Sequence, residues 1–170
     1  VDDGCTDATL AVAEDVLRNC GIAHTVLSNA ASMGPSAALN RGWRAGSGEW
    51  VQFLDADDRL ARSKIARQAD AAAACPESVA AVHSAWTRLV LRDEEWVAAT
   101  PLVQPEVGDD SLVDVLRSDN FMQLGCLLFS RHWLERVDGF DESLRFIEDV
   151  DLLVRLVIAG GEFERLPSTE

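Results

Sequence analysis

A short apolar strand that ends in a cluster of acids is the feature that most constrains how this chain can fold. Residues 50–54, WVQFL, have the length and composition of a buried strand, and Asp55, Asp57 and Asp58 follow directly. Burial holds such a strand in a sheet, whereas clustered carboxylates repel one another and favour a bound cation. In open α/β sheets, ligands bind off the carboxyl ends of strands. The stretch therefore predicts either a divalent-metal site beside a ligand or an acidic surface turn.

The composition is that of an acidic globular protein. The chain has 170 residues, of which 48% are hydrophobic, so we expect one domain over residues 1–170. A formal net charge of -14 argues against a nucleic-acid partner bound through a basic surface. No apolar run is long enough to span a bilayer. The four widely spaced cysteines indicate reduced, mostly packed thiols of a cytoplasmic protein rather than a structural zinc site.

Helix and strand patterns alternate through the first half of the chain. We predict helices over residues 6–20, 35–46 and 63–75, because each has a capping residue or a stop signal, and strands over residues 22–27 and 50–54. Such alternation is typical of a mostly parallel sheet covered by helices on both faces. The predicted fold class is therefore α/β.

The second half has a mixed pattern. The predicted elements are strands over residues 79–91, 96–99, 122–129 and 163–166 and helices over residues 112–117, 131–137 and 148–159. A turn at residues 93–95 would let the second of these strands run back against the first. We expect a mixed and partly antiparallel arrangement in this half.

Three acidic clusters are candidates for binding or catalysis. They are Asp2, Asp3 and Asp7; Asp55, Asp57 and Asp58; and Glu148, Asp149 and Asp151. The first two follow predicted strands, and the third begins a predicted helix. Each has an ordinary structural explanation as well: an Asx turn for the first cluster, and charges that favour a helix N-terminus for the third.

Two other functions can be tested against the middle cluster. A calcium loop that begins at Asp55 would need Gly and Glu where the chain has Leu60 and Ala66, so that reading fails. A hydrolase with Asp55 as the nucleophile and Asp57 as the acid remains open. It leaves the first cluster without a role.

Three stretches taken together resemble family 2 glycosyltransferases of the GT-A type. They are VDDGCTD, NAASMGPSAALNRGWRAGSGEWVQFLDADD and VDGFDESLRFIEDVDLLVRL, in the order and at the separations of that family. The resemblance implies a Rossmann-like nucleotide-sugar-binding domain with a mostly parallel central sheet and a mixed second half. Residues 1–76 would form the nucleotide-binding half and residues 77–170 the acceptor-side half. The chain would be an excerpt that lacks the family's first strand and helix.

The resemblance also implies a reaction and its partners. The reaction is inverting transfer of a sugar from a UDP-, GDP- or dTDP-sugar to a hydroxyl of a glycan or lipid, in cell-surface glycan or glycolipid synthesis, with Mg²⁺ or Mn²⁺ and no nucleic acid. By position, Asp3 would accept from the nucleotide base. Asp55 would lie near the ribose or the metal, and Asp57 would bind the metal that bridges the diphosphate. The family further implies a cytoplasmic enzyme, with possible peripheral association with the inner face of a membrane.

The third stretch supplies the acceptor side in this resemblance. Asp149 would be the base that deprotonates the acceptor hydroxyl, and Glu148 would flank it. The segment that lines the acceptor would be Asp138, Gly139, Phe140, Asp141 and Glu142. A divalent cation would stabilise the negative charge of the leaving diphosphate, and an inverting displacement needs only one base on the opposite face.

Three positions depart from the family pattern. Cys5 stands where Ser is usual, which is a small change. Leu39 stands where Arg often precedes Asn40, which puts a phosphate contact there in doubt, and Asp138 stands where the family often has the first of two glycines. A non-catalytic nucleotide- or sugar-binding module of the same fold is therefore the alternative. The intact Asp57 and Asp149 favour the enzyme.

Overall fold

The computed structural model describes residues 1–166. Its helices are α1 Thr9–Cys20, α2 Pro35–Ala45, α3 Lys64–Ala72, α4 Ser111–Leu116, α5 Arg131–Arg136 and α6 Glu148–Ile158. Its strands are β1 Trp50–Gln52, β2 Val79–His83, β3 Leu89–Arg92, β4 Glu95–Ala98, β5 Leu127–Ser130 and β6 Glu162–Arg165. Helices and strands thus mix along the chain, and the predicted α/β class is confirmed.

The central sheet has four strands in the order β1-β5-β2-β6. β5 is antiparallel to both of its neighbours, and β2 is parallel to β6. Three strands therefore run in one direction and β5 runs against them, which confirms a mostly parallel sheet with a mixed part. Strands β3 and β4 form the predicted antiparallel hairpin, separate from this sheet.

The described chain divides into two compact units. The first consists of Val1–Ser47 and Gly139–Glu148, and the second consists of Gly48–Asp138 and the described residues from Asp149 onward. The first unit contains α1 and α2, whereas the whole central sheet lies in the second. The division into a nucleotide-binding half and an acceptor-side half is functional and stays a prediction.

The core of the second unit forms around β2. Every residue of this strand is buried, because it lies between β5 and β6 and is covered on its faces. Buried side chains of α3 and of the neighbouring strands pack against it. The cluster comprises Ala72, Val79, Val82, Leu128 and Leu166. Burial of this apolar surface fixes the sheet that carries the acids after β1.

Four predicted strands are shorter than expected or absent. The predicted buried strand over residues 50–54 pairs only over Trp50–Gln52, and these residues are half-buried because β1 lies at the edge of the sheet. Residues 22–27 form no strand, because the only pairing nearby is an isolated parallel bridge between Asp2 and Ser28. The stretch 79–91 is interrupted between β2 and β3, where Trp86 pairs instead with Val103. β5 begins only at Leu127, because the preceding residues form a 3₁₀ turn.

The cysteine prediction is partly wrong. All four cysteines are free, as expected, but Cys5 and Cys20 are exposed and only Cys126 is buried. Cys5 lies in the turn after Asp3, and Cys20 ends a helix that has no buried residue. Packing therefore does not protect these two thiols. Within residues 1–166, no helix has both the length and the apolar character needed to cross a bilayer.

Stability should depend on the protonation of His83. Burial lowers the pKa of His83 from 6.5 to about 4, and the neighbouring Arg165 acts in the same direction. As the pH is lowered, the unfolded chain therefore binds a proton at His83 at a higher pH than the folded protein does. The free energy of unfolding decreases as the pH drops from 6.5 towards 4, by about 3 kcal/mol at most. Urea unfolding of wild type and His83→Leu across this range measures the effect.

The variant should lack this part of the pH dependence, so the difference in unfolding free energy between wild type and variant should change across the range. A constant difference would contradict the assignment. His132→Gln is the matched control, since His132 is an exposed histidine of α5.

Candidate functional site

The Asp3 carboxylate is the most heavily hydrogen-bonded acid of the first unit. It accepts from Asn29 Nδ2 at 2.6 Å, Ser32 Oγ at 2.7 Å, Met33 N at 3.0 and 3.1 Å and Gly34 N at 2.9 Å. The bond from Met33 N and the other donors favour the charged form and hold the pKa of Asp3 well below its ordinary value. Asp3 thus fixes the loop of residues 29–34, which leads into α2.

This arrangement bears on the predicted role of Asp3. A carboxylate offers about four lone-pair positions, and the loop donors already use them. A nucleotide base would have to share or replace one of these donors, so the base contact stays a prediction. Gly4 shows how closely the loop is packed, because a Cβ on Gly4 would lie 2.7 Å from the carbonyl carbon of Ala31.

The acids after β1 form an exposed turn in the second unit. The backbone N–H of Asp58 donates to the carbonyl of Asp55 at 3.1 Å, and Nε2 of Gln123 donates to the Asp58 carboxylate. All three carboxylates are exposed. Within residues 1–166, Asp57 alone of the three makes no hydrogen bond or ion pair. It is the member of the cluster that remains available to a ligand.

Two contacts fix the chain on either side of this turn. Before it, the buried ring of Phe53 packs edge-on against Phe129, with centroids 5.5 Å apart. After it, the guanidinium of Arg59 lies 5.0 Å from the ring centroid of Trp96 on β4, a cation–π contact. The turn is therefore attached to both the central sheet and the hairpin.

A half-buried lysine supports the end of β1. Nζ of Lys64 donates to Oε1 of Gln52, and Nε2 of Gln52 donates to the carbonyl of Gly125 at 3.2 Å. Burial lowers the pKa of Lys64 to about 8. These bonds tie α3 and the chain before β5 to the strand that precedes the acid turn.

The acid turn suits a metal shared with a ligand. The part of the chain that the structure describes contains no group of three or more His, Cys, Asp or Glu side chains that could hold a metal ion. Asp55 and Asp57 can supply one or two carboxylates. Mg²⁺ is commonly bound by one or two carboxylates, with substrate phosphates and waters completing its shell. The donor set fits such a site and not a closed structural one.

The third acidic cluster separates into two parts. Asp151 pairs with Arg155 at 2.7 Å, and Arg155 also donates to the carbonyl of Val137 at 2.7 Å. Asp149 is half-buried, and its Oδ1 accepts from the backbone N–H of Val150 at 2.8 Å. Among the described residues its Oδ2 accepts no hydrogen bond. Asp151 is therefore structural, whereas Asp149 keeps a free acceptor oxygen.

The predicted acceptor segment is only partly exposed. Phe140 is 3% exposed and packs inside its unit, whereas Asp141 and Glu142 are exposed. Gly139 has φ +68°, and a Cβ there would lie 2.4 Å from Oδ1 of Asn40. Asp138 also has a positive φ, of 59°. Lining of an acceptor stays a prediction for this segment, with Asp141 and Glu142 as the side chains that can reach a ligand.

The reaction implied by the resemblance requires Asp3 and Asp57 on one wall of a cleft with Asp149 facing them, and this convergence stays a prediction. Asp3, Glu148 and the segment from Gly139 to Glu142 belong to the first unit. Asp55, Asp57, Asp138 and Asp149 belong to the second.

Sequence reasoning missed the polar residues that hold these acids. Gln123, which binds Asp58, is 65 positions away in the chain, and nothing in the sequence pairs the two. Asn40 could have been noticed, since it lies four residues after Ser36 on the buried face of α2. A polar pair at that spacing on a packed face indicates partners elsewhere in the fold.

Three comparisons place the chain among known proteins. The family model described as Glycosyl transferase family 2 matches residues 1–136. The succinoglycan biosynthesis protein ExoO of Rhizobium meliloti (strain 1021) is 31% identical over 141 residues, which cover 79% of this chain and 40% of that protein. An uncharacterized glycosyltransferase of Haemophilus influenzae is 24% identical over 133 residues, which cover 78% of this chain and 44% of that protein.

Two solved structures share the fold. One is the mannosyltransferase PcManGT from Pyrobaculum calidifontis in complex with GDP-Man and Mn²⁺, with a TM-score of 0.67, 22% identity, and coverage of 98% of this chain and 44% of that one. The other is S. aureus TarS 1-349 in complex with UDP, with a TM-score of 0.67, 18% identity, and coverage of 99% and 47%. These similarities confirm the predicted GT-A fold. The chain spans less than half the length of these relatives.

Replacing Asp3 by Asn should loosen the first unit. The amide keeps one acceptor oxygen, but its NH₂ group faces the donors of residues 29–34, so charge-assisted bonds are lost. We expect Tm to fall by about 3–6 °C at pH 7. Differential scanning calorimetry of wild type and variant measures this.

Asp15→Asn is the control for this substitution. Asp15 is an exposed acid of α1 whose ion-pair partner is Arg18. Its removal should leave Tm within about 1 °C of wild type. Equal Tm values for wild type and Asp3→Asn would show that the loop is held by other interactions.

Proposed function

The chain belongs to glycosyl transferase family 2, and we propose that it is the catalytic part of an inverting, metal-dependent enzyme that transfers a sugar from a nucleotide-diphosphate sugar to a hydroxyl acceptor. The observation that carries this proposal is the exposed acid turn directly after β1, in which Asp57 has no partner within residues 1–166. A carboxylate in this state, at the end of a strand held in a packed sheet, suits a ligand that brings its own cation.

Asp57 and Asp55 would hold Mg²⁺ or Mn²⁺ together with the donor diphosphate. When bound, the cation neutralises the charge that develops on the leaving group. The solved relative with GDP-Man and Mn²⁺ supports a metal-bound nucleotide sugar, and the relative with UDP supports a nucleotide ligand. Asp3 would contact the base of the nucleotide. UDP-, GDP- and dTDP-sugars are the donors to test.

Asp149 would act as the general base on the acceptor. Its free Oδ2 can accept the hydroxyl proton, while the bond from Val150 N to Oδ1 orients the carboxylate. Displacement of the diphosphate by the activated oxygen on the opposite face inverts the anomeric centre. Glu148 would flank the base, with Asp141 and Glu142 beside the acceptor.

The name of one relative supports a biological setting. The similarity to a protein named for succinoglycan biosynthesis supports a role in making cell-surface glycans or glycolipids. The acceptor would be a hydroxyl of a glycan or a lipid-linked glycan. We propose that the enzyme works in the cytoplasm, at the inner face of the membrane, as a peripheral protein.

Loss of Asp57 should impair donor and metal use together. In the full-length protein, Asp57→Ala should lower sugar transfer at least about 100-fold and raise the Mn²⁺ concentration needed for half-maximal rate. Release of nucleoside diphosphate from UDP-, GDP- and dTDP-sugars, with Mn²⁺ varied, measures both. EDTA should abolish the wild-type rate, and added Mn²⁺ or Mg²⁺ should restore it.

Asp70→Asn is the control for this series, because Asp70 is an exposed acid on α3. It should behave as wild type. A wild-type rate that is insensitive to EDTA would contradict the metal-dependent mechanism.

Loss of Asp149 should impair transfer but not donor binding. Asp149→Asn keeps the shape and one acceptor oxygen but removes the base, so the transfer kcat should fall by about 10²–10⁴-fold. Donor affinity, measured by titration calorimetry with the nucleotide sugar and Mn²⁺, should change less than twofold. A non-catalytic binding module would instead bind the donor and show no turnover even in wild type.

A further inference from the structure

The buried face of α2 carries two polar side chains one helical turn apart. Ser36 and Asn40 are each 1% exposed, beside the buried Ala37 and Trp43 on the same face. A buried amide or hydroxyl costs free energy unless hydrogen bonds replace its water. The partners of these two groups therefore explain why the face tolerates them.

Asn40 uses its complete hydrogen-bonding capacity. Its Nδ2 donates to the carbonyl of Phe140 at 2.8 Å and to Oε1 of Glu142 at 2.9 Å. Its Oδ1 accepts from the backbone N–H of Phe140 at 2.9 Å and from Nε1 of Trp43 at 3.0 Å. An Asn amide has two donor hydrogens and two acceptor lone pairs, and all four are satisfied here. Three of the four bonds go to one segment about a hundred residues away.

Two further contacts extend the attachment along this segment. Ser36 Oγ donates to the carbonyl of Leu144 at 3.5 Å, and Arg44 pairs with Glu142 at 3.5 Å. α2 thus holds the segment at three alternate residues. We call the group of Ser36, Asn40 and Glu142 the α2 seam.

The segment depends on the α2 seam for its position. Residues 139–147 contain no helix or strand, so no ladder of backbone hydrogen bonds fixes them. The one local turn runs from Asp141 to Leu144, with Ser143 N donating to Asp141 Oδ1 at 2.8 Å. The segment continues directly into Glu148, the first residue of α6, and Asp149 is the next residue in the chain.

We propose that Asn40 is a positioning residue for the acceptor side of the reaction. This inference rests on the proposed function: the α2 seam holds the segment of residues 139–147 that is predicted to line the acceptor and that leads directly into Glu148. Loss of the seam then impairs transfer to the acceptor and leaves use of the donor intact.

Asn40→Asp tests the seam with a side chain of the same shape. The variant keeps Oδ1, which accepts from Phe140 N and from Trp43 Nε1. It replaces the donating NH₂ by an oxygen that faces the Phe140 carbonyl and the Glu142 carboxylate. This oxygen cannot donate to either group, and its negative charge lies next to that of Glu142. The double variant Asn40→Asp with Glu142→Gln removes that repulsion, because the new amide at position 142 can donate back.

The experiment compares two activities in the full-length protein. The first is hydrolysis of UDP-glucose, GDP-mannose or dTDP-glucose with Mn²⁺ and no acceptor, and the second is transfer to octyl glucoside. For Asn40→Asp we expect the transfer kcat to fall about 10- to 100-fold, and the donor KM in hydrolysis to stay within about twofold of wild type. The double variant should recover to within about fivefold of the wild-type transfer rate.

A second pair of variants serves if Asn40→Asp does not fold. Ser36→Ala removes the hydrogen bond to the carbonyl of Leu144 on the buried face of α2, whereas Arg44→Gln removes the exposed ion pair with Glu142 and leaves the hydrogen bonds of the α2 seam in place. We expect about a fivefold loss of transfer for the first and less than about a twofold loss for the second.

Limited proteolysis measures, independently of activity, how firmly the α2 seam holds the segment. Arg145 is exposed in the segment, and trypsin cuts after arginine. Cleavage there should be at least about tenfold faster in Asn40→Asp and should return towards the wild-type rate in the double variant. Faster cleavage with unchanged transfer would overturn the positioning role. Wild-type protein that turns over none of the three donors would instead refute the proposed function, while the proteolysis would still report on the seam.

Discussion

The Asp3 carboxylate accepts hydrogen bonds from four residues of the loop that leads into α2, and the first unit is built on that interaction. The loop has no helix or strand of its own, so backbone N–H groups that would otherwise lack partners are satisfied by one charged side chain. α2 then starts at Pro35 in a fixed place, and its buried polar face holds the segment before α6. The Asp3 carboxylate thus fixes the loop and the start of α2, and α2 in turn holds the segment before α6.

The other acids of this protein can likewise be divided by whether their carboxylates have a hydrogen-bond or ion-pair partner within the fold or remain available to a ligand. Asp58 is held by Gln123, and Asp151 is held by Arg155, so their charges are used within the fold. Asp57 and the second oxygen of Asp149 have no such partner among residues 1–166. A chain with a net charge of -14 has many carboxylates, and their partners distinguish the candidate site better than their number does.

Local signals in the sequence were sufficient for most elements. Pro35 begins α2, Gly21 ends α1 with φ 68°, and the apolar spacing of α6 was visible in the chain. The strand predicted over residues 22–27 is absent, because a strand exists only where a neighbouring strand pairs with it. That pairing depends on distant parts of the chain and not on the local sequence. The site followed the same rule. The acids were found from their spacing, but Gln123 and Asn40 act through contacts 65 and about 100 residues away, which no pattern in the sequence records.

The strand order has a consequence for how the chain is made. β1 and β2 follow one another in sequence, yet β5 lies between them in the sheet and pairs with both. During synthesis, the first two strands leave the ribosome with no partner for their facing edges until residue 130 has been added. Such edges pair readily with other chains. Pairing within the central sheet is therefore completed only after β5 and β6 have been synthesised.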